Sequence, residues 1–330
     1  MSRPESSIPV DVEAQRIGVH RVTMPIPFPL KDVHAYLIET GDGWAIMDAG
    51  FPSADALEVL RREVNRICGG RERIRTAFIS HYHPDHCGLA GWLEETGTEI
   101  VVHERDWPNV ERMGSDDAPH PEEYGGSPYA AMAAETNFSF EQMRQETQRA
   151  RFPLTRPHLV QGGETITVGG RSFDLIWTPG HTEGHLCVLD RATNTIFTGD
   201  HMLARITPHI GMWRNDGENP LHSYEASLTL IAELAPARAL PAHEAPIENV
   251  PERARQLRQH HVERRQHVLE AMSPAARPAL DIAKDVFRGR EGGMQTFLAL
   301  SETLAHLEAL TIEGLVVREH SEGAGWYRLA

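Results

Sequence analysis

Cysteine is scarce in this chain: three among 330 residues, Cys68, Cys87 and Cys187. Three thiols cannot all pair and are too few for a disulfide scaffold, so a reducing, cytoplasmic setting fits best. Long apolar runs are missing as well. No segment approaches the roughly 20 consecutive apolar residues that a membrane-spanning helix needs. The first seven residues, Met-Ser-Arg-Pro-Glu-Ser-Ser, show no charged stretch leading into an apolar run, so no secretory signal is expected. Basic charge is in short supply: 32 Lys and Arg against 47 Asp and Glu give a net charge of −15. From residue 251 onward 11 basic residues meet 11 acidic ones, so the first 250 residues carry the whole excess. Such a surface disfavours a polyanionic partner, whereas bound divalent cations would offset part of the charge locally.

What remains is an ordinary globular balance, 40% hydrophobic and 24% charged, over a length that suggests about two domains. Val19–Met24, Ala35–Glu39 and Trp44–Met47 read as a strand meander, with Gly41-Asp42-Gly43 as a tight turn. Ala54–Cys68 carries apolar residues at helical spacing and stops at Gly69-Gly70, a helix C-terminal signal. A strand at Arg75–Ser80, a helix at Leu89–Thr96 and a strand at Glu99–His103 continue a βαβα rhythm, which implies a layered α/β domain. Residues 105–155 interrupt it. They read as loop to about residue 128 and as helix from Tyr129 to Arg149, with Tyr124, Tyr129, Met132, Phe138, Phe140 and Met143 set among polar residues. A long insertion of this kind suits a lid. Strands resume at His158–Val160, Thr165–Val168, Ser172–Trp177, Leu186–Asp190 and Thr195–Phe197, followed by a helix at Ser223–Leu234. A boundary is placed at Val250-Pro251. Beyond it, Glu252–Met272, Pro278–Phe287 and Met294–Glu308 read as helices and Leu315–Glu319 with Gly325–Leu329 as a hairpin, the pattern of a winged-helix-like module over 251–330.

The densest chemistry lies in His81-Tyr-His83-Pro-Asp85-His86. Three imidazoles and a carboxylate within six positions, directly after a buried strand, place N and O donors at a sheet edge. Such donors suit zinc and similar first-row ions. His181, Asp200 and His243 each follow a short strand in the same way. Four strand ends that each deliver a donor can converge on one edge. A lone loop histidine is usually a surface residue, and the chain has 19 of them. It is the joint pattern that points to metal.

That order of motifs, His-x-His-x-Asp-His, then Gly-His181, Gly-Asp200 and Ala-His243, resembles the metallo-β-lactamase superfamily over roughly residues 18–250. The resemblance implies a four-layer αββα sandwich with a dinuclear centre. By the family pattern His81, His83 and His181 would hold one divalent ion, and Asp85, His86 and His243 the second. Asp200 would bridge, and Asp48 would support the ligands from behind. Zinc is expected first, with iron or manganese as alternatives. Cys87, beside the ligands, reads as a packed small side chain. Two such ions activate water near neutral pH and stabilise a developing oxyanion, with Asp85 placed as the catalytic group that orients the nucleophile or takes its proton. Members that use a single iron for oxygen chemistry usually lack part of this set.

The family does not fix the substrate. Lactonases that open acyl-homoserine lactones usually place a tyrosine three positions after the bridging aspartate, where this chain has Leu203. A glyoxalase II-type thioesterase would carry basic residues for glutathione in its C-terminal helices, and none can be mapped with assurance. Superfamily nucleases favour a basic surface, although endoribonuclease-like members carry a similar C-terminal module. Arg205 and His201, just beyond Asp200, are candidates for binding a substrate carboxylate or phosphate. Against those candidates stands the ordinary reading of Arg205 as an exposed or paired arginine. The apolar insertion favours an organic acyl group, although its side chains could equally well only pack the insertion onto the domain. The sequence therefore points to a metal-dependent hydrolase of a thioester, ester or lactone bond. The expected partner is a small-molecule acyl substrate, with neither nucleic acid nor membrane, and a homodimer stays open. Phosphodiester or RNA cleavage and a non-catalytic binding role are the alternatives.

Overall fold

The computed structural model describes residues 12–113, 127–136, 139, 152–212, 219–289, 292–319 and 325–330. Its first sheet joins β1 (Val19–Pro25), β2 (Asp32–Thr40), β3 (Gly43–Met47), β4 (Ile74–Phe78), β5 (Glu99–His103) and β6 (His158–Val160) in sequence order. β1, β2 and β3 pair antiparallel, and β3 through β6 pair parallel. The β2–β3 turn is the two-residue loop Gly41-Asp42, because Thr40 pairs with Gly43. The second sheet orders β7 (Thr165–Val168), β8 (Arg171–Trp177), β9 (Leu186–Asp190), β10 (Thr195–Gly199) and β11 (Arg238–Pro241) as β11-β10-β9-β8-β7, antiparallel except for the β10–β11 pair.

The period-2 alternation of strand side chains sorts residues into layers. On β2 and β3, Leu37 and Ile46 face outward onto Leu60 and Val64 of the Ala54–Cys68 helix. Their neighbours Tyr36, Ile38, Ala45 and Met47 face the second sheet and meet Phe173, Leu175, Val188 and Phe197. The far face of the second sheet, with Cys187, Ile196 and Ala239, packs on Leu221 and Leu228 of the Pro220–Leu234 helix and Leu257 of the Val250–Glu270 helix. Helix, sheet, sheet, helix: this is the expected αββα sandwich. The Ala54–Cys68 helix has the predicted limits. Ser53 caps its start by accepting from Ala56 N–H, and Gly69 ends it in the left-handed region at φ 81°.

The C-terminal part follows the expected order of helices and hairpin: Val250–Glu270, Ala279–Val286 and Gly293–Ile312, then β13 (Val316–Glu319) and β14 (Trp326–Leu329). A short strand the sequence reading lacks, β12 (Arg277–Pro278), pairs with β14 and widens the hairpin to three strands. The long Val250–Glu270 helix serves two cores. Its Ala254 and Leu257 pack on the second sheet, and its Val268 packs with Leu300, Leu307 and Tyr327 of the C-terminal part.

The first part of the insertion differs from its reading as loop. Trp107–Met113 is helical, with Val110 buried in the outer core and Trp107 packed on it. One apolar pair a turn apart is too little periodicity to announce a helix from sequence. Ser127–Thr136 is helical, in keeping with the helix expected from Tyr129 onward. Its Tyr129 and Met132 are buried against the C-terminal helices, the Tyr129 ring meeting Phe297 at a tilt with centroids 5.4 Å apart. These two side chains therefore pack the insertion onto the fold. Tyr124, Phe138, Phe140 and Met143, and the predicted helix from residue 140 on, lie outside the described residues.

Candidate metal centre

β4 runs into Ile79 and Ser80 and delivers His81 at its carboxyl end. His83 then stands at the start of a single helical turn, Pro84–Cys87, with Pro84 at its first position. That turn holds Asp85 and His86 beside His81 and His83. His181 sits in the β8–β9 connection, Asp200 directly after β10, and His243 just past β11. Gly199, at φ 47°, lets the Asp200 turn approach the first sheet: a Cβ there would lie 2.6 Å from the Ser80 Cβ.

The structure brings all seven side chains together. His83 Nδ1 lies 2.9 Å from His81 Nε2 and 3.0 Å from His181 Nε2. His86 Nε2 is 3.7 Å from Asp85 Oδ1, and His243 Nε2 is 3.5 Å from Asp85 Oδ2. Asp200 spans both groups. Its Oδ2 is 3.6 Å from His86 Nε2 and 3.7 Å from His181 Nε2, and its Oδ1 is 3.5 Å from His243 Nε2. His81–His83–His181 and Asp85–His86–His243 each converge closely enough to hold an ion.

The partners behind the ligands fix which ring nitrogen carries the proton. A carbonyl only accepts, so His181 Nδ1 donates to His209 O and His243 Nδ1 donates to Asp32 O, both at 2.7 Å. Asp48, buried, accepts from Ser80 N–H (2.7 Å), Ser80 Oγ (2.9 Å) and His86 Nδ1 (2.9 Å). Having given its proton to Asp48, Ser80 Oγ accepts from His81 Nδ1 at 3.0 Å. Four Nε2 atoms are thereby turned toward one another, the arrangement a metal requires once its binding displaces the protons they carry. His86 Nε2, His243 Nε2 and Asp200 Oδ1 are buried with no hydrogen-bond partner among the described residues. Buried polar atoms are rarely left so. The donor set fits two divalent cations.

Proton occupancy differs between the two groups. Burial pushes His81 well down and His83 down to about 3, the neighbouring imidazoles adding to the effect. Burial also opposes charge on His86 and His243. There the surrounding carboxylates prevail, lifting His86 well above its usual range and His243 to about 8. Burial would raise Asp85, yet His86 and His243 hold it down at about 2.

Sequence reasoning missed Asp106. It is buried, and it accepts from Tyr82 N–H (3.1 Å), Thr182 Oγ1 (2.8 Å) and Gly184 N–H (2.8 Å). It ties the loop of His81 and His83 to the loop of His181. Burial pushes its carboxyl up to about 7 against those hydrogen bonds. His185 was missed as well. It lies flat beneath His81, ring centroids 5.2 Å apart, with Nδ1 2.9 Å from Thr178 Oγ1. The expectation for His201 is corrected: it is fully buried beside His185 and Tyr224, so it cannot reach a substrate. Arg205 is exposed and pairs with Glu244 at 3.3 Å. Cys87 packs in the outer core, and its thiol faces Tyr82 O at 3.1 Å.

A two-sheet sandwich with paired His/Asp triads at one edge defines the class of metallo-hydrolase folds. The family model "Metallo-beta-lactamase superfamily" matches residues 29–243, and the model "Metallo-beta-lactamase-like, C-terminal domain" matches residues 266–330. The chain belongs to the metallo-β-lactamase superfamily. Among curated relatives it is 23% identical to the "Probable metallo-hydrolase YqjP" of Bacillus subtilis, over 88% of this chain and 92% of that protein. It is 22% identical to the "Beta-lactamase-like protein 2 homolog" of Caenorhabditis elegans, over 92% and 86% respectively. Among solved structures, the metallo-beta-lactamase family protein TTHA1429 of Thermus thermophilus superposes with TM-score 0.82. It is 28% identical, over 95% of this chain and 99% of that one. A beta-lactamase domain protein of Burkholderia ambifaria gives TM-score 0.80 at 27% identity, over 95% and 91%. No helix among the described residues is long and apolar enough to cross a membrane.

Proposed function

We propose that this chain is a dinuclear metal-dependent hydrolase of carboxylic thioesters, esters or lactones, with thioesters first. One observation carries the reading: the Asp200 carboxylate faces both triads at once, through Oδ2 toward His86 and His181 and through Oδ1 toward His243. His81, His83 and His181 would hold one ion, zinc in the first instance, and Asp85, His86 and His243 the other. Two bound divalent cations supply activated water near neutral pH and a positive field for a developing oxyanion. The chain's own residues do the rest. Asp48, Asp32 and His209 hold the imidazoles in the ligating tautomer, and Ser80 and Asp106 hold the ligand loops in place. Asp85, its side chain 13% exposed, would orient the attacking water or take its proton.

An acyl substrate suits the acidic character of the first 250 residues better than a polyanion does. The C-terminal part, read as a winged-helix-like module, packs on the sandwich as a wall, and the buried free thiols Cys68, Cys87 and Cys187 suit a reducing cytoplasm.

The test joins elemental analysis to a panel of thioesters, esters, lactones, a phosphodiester and RNA. About two ions per chain and turnover of acyl substrates are expected. One iron per chain with oxygen consumption, or cleavage of RNA or the phosphodiester alone, would overturn the reading.

A further inference from the structure

The carbonyl that locks His181 belongs to a segment gripped from outside the sandwich. Ser301, fully buried on the Gly293–Ile312 helix, touches this segment twice. Its carbonyl accepts from Met212 N–H at 3.0 Å, and its hydroxyl lies 2.9 Å from His209 Nε2. The hydroxyl proton goes to Leu298 O at 3.0 Å, so Ser301 Oγ accepts from His209 Nε2–H. The neighbouring Glu302 carboxylate stands 3.8 Å from His209 Nδ1. From the other side, Tyr129 of the insertion donates its hydroxyl to Met212 O. Gly211 completes the fit, since a Cβ there would lie 2.4 Å from His209 Nε2 and 2.9 Å from Ser301 Oγ. The backbone carbonyl of His209 then accepts from His181 Nδ1 at 2.7 Å, which leaves His181 Nε2 unprotonated and 3.0 Å from His83 Nδ1.

We infer that Ser301 and Gly211 are positioning residues. Through the His209 carbonyl they set the orientation and tautomer of His181, and so the ion affinity of the His81–His83–His181 group. The C-terminal module is thus part of the support of the metal centre. A carbonyl displaced by a few tenths of an ångström weakens the hydrogen bond that orients the ligand ring, and partners of this kind commonly tune metal affinity. The inference rests on the dinuclear reading above.

The full chain is stripped of metal and titrated with Zn2+ alone against a chromophoric chelator, in the parent, Ser301→Ala, Gly211→Ala and Thr303→Val. Thr303, on the same helix, donates its hydroxyl back to Ala299 O at 2.8 Å, its one side-chain hydrogen bond among the described residues, and serves as the control. In Ser301→Ala and Gly211→Ala, one of the two zinc steps is expected to weaken by about tenfold. The other step stays in place, and Thr303→Val keeps both. Circular dichroism of the metal-free proteins checks the fold, and should Gly211→Ala fail to fold, Ser301→Ala decides. Two unchanged zinc steps in Ser301→Ala, or an equal loss in Thr303→Val, overturn the inference. A parent that binds no zinc, or only one ion, overturns the dinuclear reading instead.

Discussion

Replacing Asp48 with asparagine tests whether tautomer control governs the second ion position. Asp48 stands at φ 59°, a left-handed conformation that asparagine adopts at less cost than alanine, so Asn preserves the backbone. With its oxygen kept on Ser80 N–H, the new amide nitrogen occupies the Oδ2 position, facing Ser80 Oγ and His86 Nδ1, each 2.9 Å away in the native protein. A donor then meets a donor at His86. The ring, which the carboxylates keep protonated in the metal-free chain, escapes by giving up its Nδ1 proton and keeping Nε2–H, after which Nδ1 accepts from the amide. Few hydrogen bonds are lost, so the metal-free fold should change by less than about 1 kcal/mol. Metal binding must undo that change and break a hydrogen bond that is buried with His86. This costs about 1.5–3 kcal/mol, or roughly 10- to 100-fold in affinity at the Asp85–His86–His243 group. Competitive zinc titration of the full-length variant, beside a thermal melt of the stripped protein, reads both quantities. Two zinc steps at parental affinity would refute the tautomer argument. A large loss of metal-free stability would show instead that Asp48 matters chiefly to the fold.

The remaining predictions concern the site, its protons and the core. His83→Ala and Asp200→Asn should each lower acyl turnover by at least about a hundredfold at saturating metal, with far-ultraviolet circular dichroism unchanged; activity within a few-fold of the parent would place the site elsewhere. Above about pH 7 the metal-free chain should lose stability as pH rises. Below it, buried histidines held down near 3, such as His34, His83, His201 and His261, are neutral in the fold but protonated when unfolded and work in the opposite direction. His243, raised from 6.5 to about 8, contributes fully below pH 6.5 and loses its contribution through pH 8, which amounts to about 2 kcal/mol. Asp106, raised from 3.8 to about 7, acts in the same direction at lower pH, because the folded state holds a proton that the unfolded chain has released. Urea midpoints at pH 7.5 and 8.5 check the sign, and a midpoint that climbs between them contradicts it. Phe197→Ala, at the fully buried contact between the sheets where its ring meets Tyr36 at 5.4 Å, should cost about 3–5 kcal/mol in urea unfolding. A cost below about 1 kcal/mol would mean that the inter-sheet core is not packed as described.

The sandwich was legible because its signals are local. Ala54–Cys68 has helical spacing, a serine cap and a terminal glycine within one stretch, and its limits were read without error. Glu99–His103, Thr165–Val168 and Leu186–Asp190 are short apolar runs bounded by polar or glycine residues, and they too appear as read. The seven donors that the motif order singled out come together, since they lie in the segments that follow four strands, β4, β8, β10 and β11. The insertion was less legible. Tyr129 and Met132 gave the same apolar signal whether they lined a pocket or packed on the C-terminal helices, and only their neighbours in space decide between the two.

Asp48, which the family pattern placed behind the ligands, does accept from Ser80 and His86. What escaped the sequence reading is the rest of that layer of supporting groups, and the reason is distance along the chain. Asp106 reaches Gly184, 78 positions away, and Ser301 reaches His209, 92 positions away. His209 acts through its carbonyl, which every residue possesses, so its side chain carries no sign of that role. Asp32 supports His243 in the same way, across 211 positions. A ligand announces itself by chemical type, because few side chains can donate to a metal. A supporting group needs only one hydrogen-bonding atom in the right place, and nearly half of these supports are backbone. The metal-donor set is therefore written in residue types, whereas its tautomers and orientations are written in the fold. That is why the C-terminal module, which contributes no donor to either triad, can still bear on the affinity of the centre.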